Sequence, residues 1–138
     1  MWRQSELTLA TRGRGTTEIT DRVAALVRDS GMQQGLCHLF LQHTSASIIL
    51  CENADQTVRE DLEGFAARLA PDGDARYRHD SEGPDDMAAH LRTVFSGSDL
   101  SIPVGGGRLL LGTWQGIFLW EHRTHPHARS VVVTLHGE

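Results

Sequence analysis

Apolar and polar residues alternate in short runs near both ends of the chain. Residues 2–11 alternate around Leu7 and Leu9, and residues 16–19 follow after two glycines, which predicts a β-hairpin. Towards the carboxyl end the same alternation returns between glycine-rich or polar turns. It predicts four further strands, at 100–104, 108–111, 115–121 and 130–136.

A helical period appears first at residues 21–29. Thr20 is placed to cap this helix, and Gly31 lies just beyond its end. Two dense apolar segments follow, at 35–42 and 46–51, and they predict strands. In the first of these, large side chains point both ways, which is typical of a strand covered on both faces.

Two more helices are predicted in the middle of the chain. Asn53 and Gln56 resemble a capping box at the start of the first. Its apolar residues recur at spacings of three and four and predict a stripe facing the core: Ala54, Val58, Leu62, Phe65 and Leu69. Gly83 and Pro84 open the last helix, which runs to about residue 95 and ends at Gly97.

Strands at both ends around a helical middle predict an α+β fold. We expect a mostly antiparallel β-sheet or sandwich with helices packed on one side. A chain of 138 residues with 39% hydrophobic and 22% charged residues fits one domain over residues 1–138.

Charge and cysteine content narrow the classes of function. The formal net charge of −5 disfavours a broad surface for nucleic acid or anionic membrane. No signal peptide and no apolar run of about 20 residues is recognised, so a cytoplasmic location is expected. Cys37 and Cys51 are expected to be free thiols within strands, and no Gly-x-Ser-x-Gly motif occurs, which disfavours covalent nucleophilic catalysis.

His79, Asp86 and His90 form the clearest group of potential metal ligands. Asp86 and His90 are four residues apart on one helix face, and His79 lies in the segment that leads into this helix. Two ligands on one helical turn with a third nearby is a recurrent metal geometry. An exposed ion pair produces the same spacing, so both interpretations stay open here.

Three other residues are candidates for proton transfer or ligation. His43 ends an apolar strand and is either a pocket group or a surface histidine. Glu121 shares a strand face with apolar residues: burial would raise its pKa, an arginine or metal neighbour would hold it ionised, and an exposed strand end would explain it equally. Asp85 at a helix start either caps the helix or orients an imidazole.

Aromatic and histidine residues near the carboxyl end have two interpretations as well. Trp114 is either buried in a turn or stacks on a planar ring whose polar edge Gln115 contacts. The remaining histidines of this region are predicted to be mostly exposed to solvent: His122, His125, His127 and His136.

Several motifs together resemble the YjbQ-like family (UPF0047) of secondary thiamine-phosphate synthases. They are HTSAS at 43–47, ENAD at 52–55, HDSEGPDDMAAH at 79–90, GTWQGIFLWEHR at 112–123 and the closing VVVTLHGE. The resemblance implies a homotrimer that condenses a hydroxymethylpyrimidine pyrophosphate with a thiazole phosphate and releases pyrophosphate. A non-catalytic homotrimeric module that binds a metal or a small anionic metabolite is the alternative.

The enzyme hypothesis assigns roles to particular residues. A divalent metal ion, zinc or magnesium, is expected on His43, His79 and His90. Glu121 or Asp85 is expected to handle a proton or to orient a ligand. The phosphorylated heterocyclic substrate is expected to contact four residues: Asn53, Trp114, Gln115 and Arg123.

Overall fold

The computed structural model describes all 138 residues and contains eight strands and three helices. In chain order they are β1 Trp2–Ala10, β2 Gly15–Glu18, α1 Thr20–Ser30, β3 Gly35–Leu41, β4 Ala46–Glu52, α2 Gln56–Leu69, α3 Asp86–Ser96, β5 Asp99–Gly105, β6 Arg108–Leu109, β7 Gln115–Glu121 and β8 Ala128–Gly137. The predicted α+β class is confirmed. None of the helices is both long enough and apolar enough to cross a membrane.

Two antiparallel sheets enclose the core. The larger has the strand order β1-β8-β3-β5-β6 and the smaller has the order β2-β7-β4. One cluster of 18 buried apolar residues draws on both sheets and on α1. In β3, Cys37, Leu39 and Leu41 point into this core, whereas Leu36 and Phe40 are about half exposed. The prediction that β3 is covered on both faces is therefore wrong within this chain.

The predicted amino-terminal hairpin is also wrong. β1 pairs with β8 along its whole length, from Trp2 opposite His136 to Ala10 opposite Ala128, while β2 pairs with β7 in the other sheet. The chain changes sheets at Gly13, where φ is +113° and an added Cβ would lie 2.7 Å from the carbonyl oxygen of Thr124. Glycine permits this crossing because it lacks a side chain.

Both predicted amino-terminal caps differ from those in the structure. Thr20 is already the first residue of helix α1. Its hydroxyl accepts a hydrogen bond from the backbone N–H of Ile117 in β7. Helix α2 is capped by Asp55, whose carboxylate accepts the N–H of Thr57. The ends of α1 at Gly31 and of α3 at Gly97 are as predicted.

The apolar stripe of α2 is largely exposed. Ala66 is the only buried residue of α2, whereas Phe65 and Leu69 are 55% and 51% exposed. The predicted core stripe is therefore wrong within this chain. Together with β4 and α3 these side chains line a surface cavity of about 320 Å³. We call five of its apolar members the apolar face: Leu50, Leu62, Phe65, Leu69 and Phe95.

Candidate metal centre

The start of α3 brings together four potential metal ligands. The ligand atoms of His79, Glu82, Asp86 and His90 all lie within 4.8 Å of one another. Asp86 Oδ2 is 2.7 Å from His79 Nε2 and 3.2 Å from His90 Nε2. Glu82 Oε2 lies 3.3 Å from His79 Nε2. The predicted grouping of His79, Asp86 and His90 is therefore present in the fold.

The His90 ring is oriented for ligation. Its Nδ1 lies 2.9 Å from the carbonyl oxygen of Thr44, which can only accept, so Nδ1 carries a hydrogen. The other nitrogen, Nε2, faces Asp86 Oδ2: with a hydrogen it donates to this oxygen, and without one its lone pair is available to a metal ion held by both groups. A backbone carbonyl behind a ligating histidine is a recurrent way to fix the tautomer.

Asp86 is held by an arginine from the other side. Arg123 donates from NH1 to Asp86 Oδ1 at 2.9 Å and from Nε to Asp85 Oδ2 at 2.9 Å. Its NH2 group donates to the carbonyl oxygen of Glu82, next to Gly83 with φ of +102°. This clamp leaves Asp86 Oδ2 facing the histidines.

Both aspartates are ionised in this setting. Burial opposes ionisation of Asp85, but hydrogen bonds from Arg123 and Thr124 outweigh it and hold its pKa below the usual range. Burial likewise opposes ionisation of Asp86, yet its hydrogen bond to His79 and nearby positive charge lower its pKa. The cluster therefore offers an anionic carboxylate between two imidazoles.

This donor set fits a divalent transition metal. Two histidine nitrogens with carboxylate oxygens are ligands that Zn²⁺ accepts, whereas Mg²⁺ prefers oxygen ligands almost exclusively. His79 and Glu82 are exposed, so a substrate has access to the cluster. Between the two expected metals, the residues present favour zinc.

His43 does not belong to this cluster. Its Nε2 accepts the backbone N–H of Ser130 at 2.8 Å, and its Nδ1 is 3.3 Å from Arg129 NH1. Burial, and then the charge of Arg129, lower the pKa of His43. Of the expected ligand set of His43, His79 and His90, the structure brings His79 and His90 together with Asp86 and Glu82, and His43 lies outside this group.

Glu121 lies on the buried face of β7, as its alternation with Ile117 and Leu119 predicts. It is 1% exposed, which excludes the exposed strand end. Its carboxylate accepts from Thr11 Oγ1 at 2.7 Å and from Arg129 Nε at 2.9 Å. Burial opposes ionisation, but these hydrogen bonds outweigh it and lower the pKa of Glu121.

Glu121 has no free oxygen for a substrate proton. Besides Arg129 and Thr11, the backbone N–H groups of His122 and Arg123 donate to it. Sequence reasoning missed Arg129, although the signal was present. In β8 Arg129 points to the same buried side as Val131 and Val133, and a charged side chain at such a position requires a partner.

His122 is buried, which contradicts its predicted exposure. It is 0% exposed directly after β7, and its Nε2 lies 2.8 Å from Ser47 Oγ of β4. Burial, and then the charge of Arg92, lower the pKa of His122 to about 3. His125 and His136 are exposed and His127 is partly buried.

The residues expected to bind substrate are divided between two ends of the small sheet. In the β4–β7 pairing, Ala46 lies opposite Glu121 at one end and Glu52 opposite Gln115 at the other, which separates the ends by about 20 Å. Arg123 lies at the Glu121 end, where it bonds Asp86. The other three lie at the far end, where Trp114 is 61% exposed: Asn53, Trp114 and Gln115.

Comparison with known proteins places this architecture in a family. A family model described as UPF0047 protein YjbQ-like matches residues 5–138. The chain belongs to the YjbQ-like UPF0047 family. It is 48% identical to UPF0047 protein YjbQ of Escherichia coli O157:H7 over 100% of both chains. It is 49% identical to a UPF0047 protein of Synechocystis over 98% of this chain and 92% of that protein.

Solved structures share the fold of this YjbQ-like chain. A hypothetical protein from Aeropyrum pernix superposes with a TM-score of 0.90 at 31% identity and covers 99% of both chains. A conserved protein of the YjbQ/UPF0047 family from Clostridium acetobutylicum gives a TM-score of 0.88 at 34% identity, covering 96% of this chain and 99% of that one. The names of these relatives specify no reaction, so the activity is argued from the site.

Proposed function

We propose that this chain binds a divalent metal ion, zinc in the first place, through His79, Asp86 and His90, with Glu82 at the rim. The observation that carries the proposal is the convergence of two imidazoles on one ionised carboxylate oxygen. The hydrogen bond from His90 Nδ1 to the carbonyl oxygen of Thr44 also supports the proposal. It fixes the orientation of the ring, which an exposed ion pair does not require.

The proposed reaction is the condensation of a hydroxymethylpyrimidine pyrophosphate with a thiazole phosphate. The thiazole nitrogen forms a bond to the pyrimidine methylene carbon while the bond from that carbon to pyrophosphate breaks. A bound divalent ion would neutralise charge on a phosphate oxygen and so improve the leaving group. The family resemblance supports this substrate pair, and the exposed His79 and Glu82 give phosphate groups access.

The chain's own residues have positioning roles in this proposal. Asp85 holds Arg123, which in turn holds Asp86 towards the histidines. Glu121 is assigned to hold Arg129, since its oxygens are occupied. Covalent catalysis by a thiol is disfavoured, because Cys37 is buried and burial raises the pKa of its thiol to about 11.

The test combines metal analysis with an assay for thiamine phosphate from the two ring precursors. We expect stoichiometric metal and turnover that a chelator abolishes. His90→Ala should lose both metal and turnover, whereas His136→Ala should keep them, because His136 is exposed and stacks on Trp2 in the large sheet. Undiminished metal content in His90→Ala would contradict the site.

A non-catalytic binding module is the second candidate. The saturated carboxylate of Glu121 favours it, because Glu121 is then not available for proton transfer, and the other predicted group, Asp85, is itself bonded to Arg123 and Thr124. The binding module would be supported over the synthase if the protein binds metal and phosphate but forms no product. The metal should still be lost from the His90→Ala variant.

We further propose that copies of this chain associate through the apolar face, as a homotrimer. Phe95 is 72% exposed there, and burying such side chains contributes about 25 cal/mol per Å² of apolar surface. Phe95→Asp should lower the mass measured by sedimentation towards the 15.2 kDa of one chain. Leu110→Asp, at an exposed leucine outside this face, is the control and should leave the mass unchanged.

A further inference from the structure

Two hydrogen-bond donors, one on His43 and one on Arg129, face each other just after the end of β3 and at the start of β8. A backbone N–H can only donate, so the bond from Ser130 N–H to His43 Nε2 requires that Nε2 is unprotonated. The neutral His43 ring then carries its hydrogen on Nδ1. This Nδ1 lies 3.3 Å from NH1 of Arg129, a group that also only donates.

NH1 of Arg129 therefore has no acceptor in the fold. The remaining nitrogens of this guanidinium are engaged, Nε by Glu121 and NH2 by Glu121 and by Ser45. Arg129 is only 3% exposed, so water supplies little compensation. A buried donor without an acceptor is costly, and in native proteins it indicates an unassigned partner.

The same two donors line a surface cavity of about 430 Å³ that contains no acidic residue. Ser45, whose Oγ accepts from Arg129 NH2, also lines it, as do the hydroxyl-bearing residues Thr44 and Ser98. In a chain with a net charge of −5, a pocket that holds an arginine and no acidic side chain is a distinctive environment. Glu121 lies behind Arg129 and balances its charge, so directed hydrogen bonds contribute more here than net charge.

We propose that this cavity, the donor pocket of His43, Ser45 and Arg129, binds an oxyanion whose oxygen accepts from both His43 Nδ1–H and Arg129 NH1. The ligand class is a phosphoryl or carboxylate group of a small metabolite. Such an oxygen converts the donor–donor contact into two hydrogen bonds, one of them charge-assisted. The inference does not require the metal proposal, although the Thr44 carbonyl that orients His90 borders the same pocket.

The experiment titrates metal-free protein with inorganic phosphate and, in parallel, with acetate. Side-chain nitrogen NMR should show His43 protonated at Nδ1 alone, and the probe should shift the resonances of His43 Nδ1 and Arg129. Saturation by phosphate but not acetate assigns a phosphoryl group; the reverse assigns a carboxylate. His43 protonated at Nε2, or no shift with either probe, would overturn the proposal.

A matched pair of variants separates this site from the metal centre. His43→Gln removes the Nδ1 donor and should weaken binding of the probe about tenfold or more, as expected for a hydrogen bond to a charged group. His136→Gln, at an exposed histidine of the same sheet, should bind it unchanged. Equal affinity in His43→Gln overturns the pocket, and so does loss of metal from that variant, since His43 would then be a metal ligand.

Discussion

Two carboxylates of this molecule, Asp86 and Glu121, have nearly the same small solvent exposure but differ in how their oxygens are used. Asp86 and Glu121 are 2% and 1% exposed. Both oxygens of Glu121 are occupied by Thr11, Arg129 and backbone N–H groups. Asp86 gives one oxygen to Arg123 and shares the other between two imidazoles.

This difference indicates different roles. The partners of Glu121 are fixed donors of the core, so the carboxylate stabilises the fold and the position of Arg129. The partners of Asp86 Oδ2 are side chains that can themselves ligate, and both belong to a region open to solvent. Burial alone therefore does not distinguish a structural carboxylate from a binding one; the chemistry of its partners does.

The largest expected effect concerns the stability of the buried pair. Glu121→Gln removes the charge opposite Arg129 and should lower the free energy of unfolding by about 3–5 kcal/mol, as expected when one partner of a buried ion pair is lost. Urea denaturation measures this change. Glu6→Gln, at an exposed position of β1, is the control and should stay within about 0.5 kcal/mol of the unsubstituted chain.

A double variant sharpens this test. The double variant Glu121→Gln/Arg129→Met removes both charges, so no unpaired buried charge remains. Part of the stability lost in Glu121→Gln should therefore return. If Glu121→Gln instead unfolds like the unsubstituted chain and loses only turnover, Glu121 acts in chemistry and the proposed contrast with Asp86 fails.

An intermediate effect is expected from His122, a buried group that remains neutral. Its pKa of about 3 in the folded chain lies below the ordinary value of 6.5, with Arg92, Glu121, Arg14 and Arg129 as charged neighbours. The unfolded chain therefore binds one more proton between these values. Stability from this group is complete above pH 6.5 and falls by up to about 1.4 kcal/mol per pH unit below it, a loss of about 2 kcal/mol at pH 5.

The contribution of His122 is isolated by comparison with His122→Gln. Denaturation at several pH values should give a shallower decline for this variant below pH 6.5, because the other titrating groups are shared. Parallel curves for the two chains would show that His122 takes up its proton in the folded state, contrary to the structure.

The smallest effect is expected at an exposed histidine–aspartate pair. His38 Nε2 lies 3.1 Å from Asp99 Oδ2 on the outer face of the large sheet, with side chains 39% and 60% exposed. Asp99→Asn should change the free energy of unfolding by less than about 1 kcal/mol and leave metal content unchanged. Loss of metal from Asp99→Asn would show that an exposed histidine–carboxylate contact is sufficient for metal binding. The distinction between Asp86 and the other carboxylates would then not hold.

Local patterns predicted much of this structure. The alternation of Ile117, Leu119 and Glu121 put that carboxylate on the face of two apolar residues, which the structure turns into the core. The spacing of Asp86 and His90 put both on one helix face towards His79. These predictions succeeded because strand and helix periods determine facing over a few residues. The same local patterns predicted a hairpin and a buried α2 stripe that do not occur.

What the sequence determined by itself was the class of fold, the strand and helix order and the grouping of His79, Asp86 and His90. Only the tertiary structure decided that β1 joins β8, that His43 faces Arg129, and that the predicted substrate residues occupy opposite ends of β7. Each of these depends on pairing between segments far apart in the chain. Register and sheet membership arise from many weak contacts formed together, which no short stretch of sequence encodes.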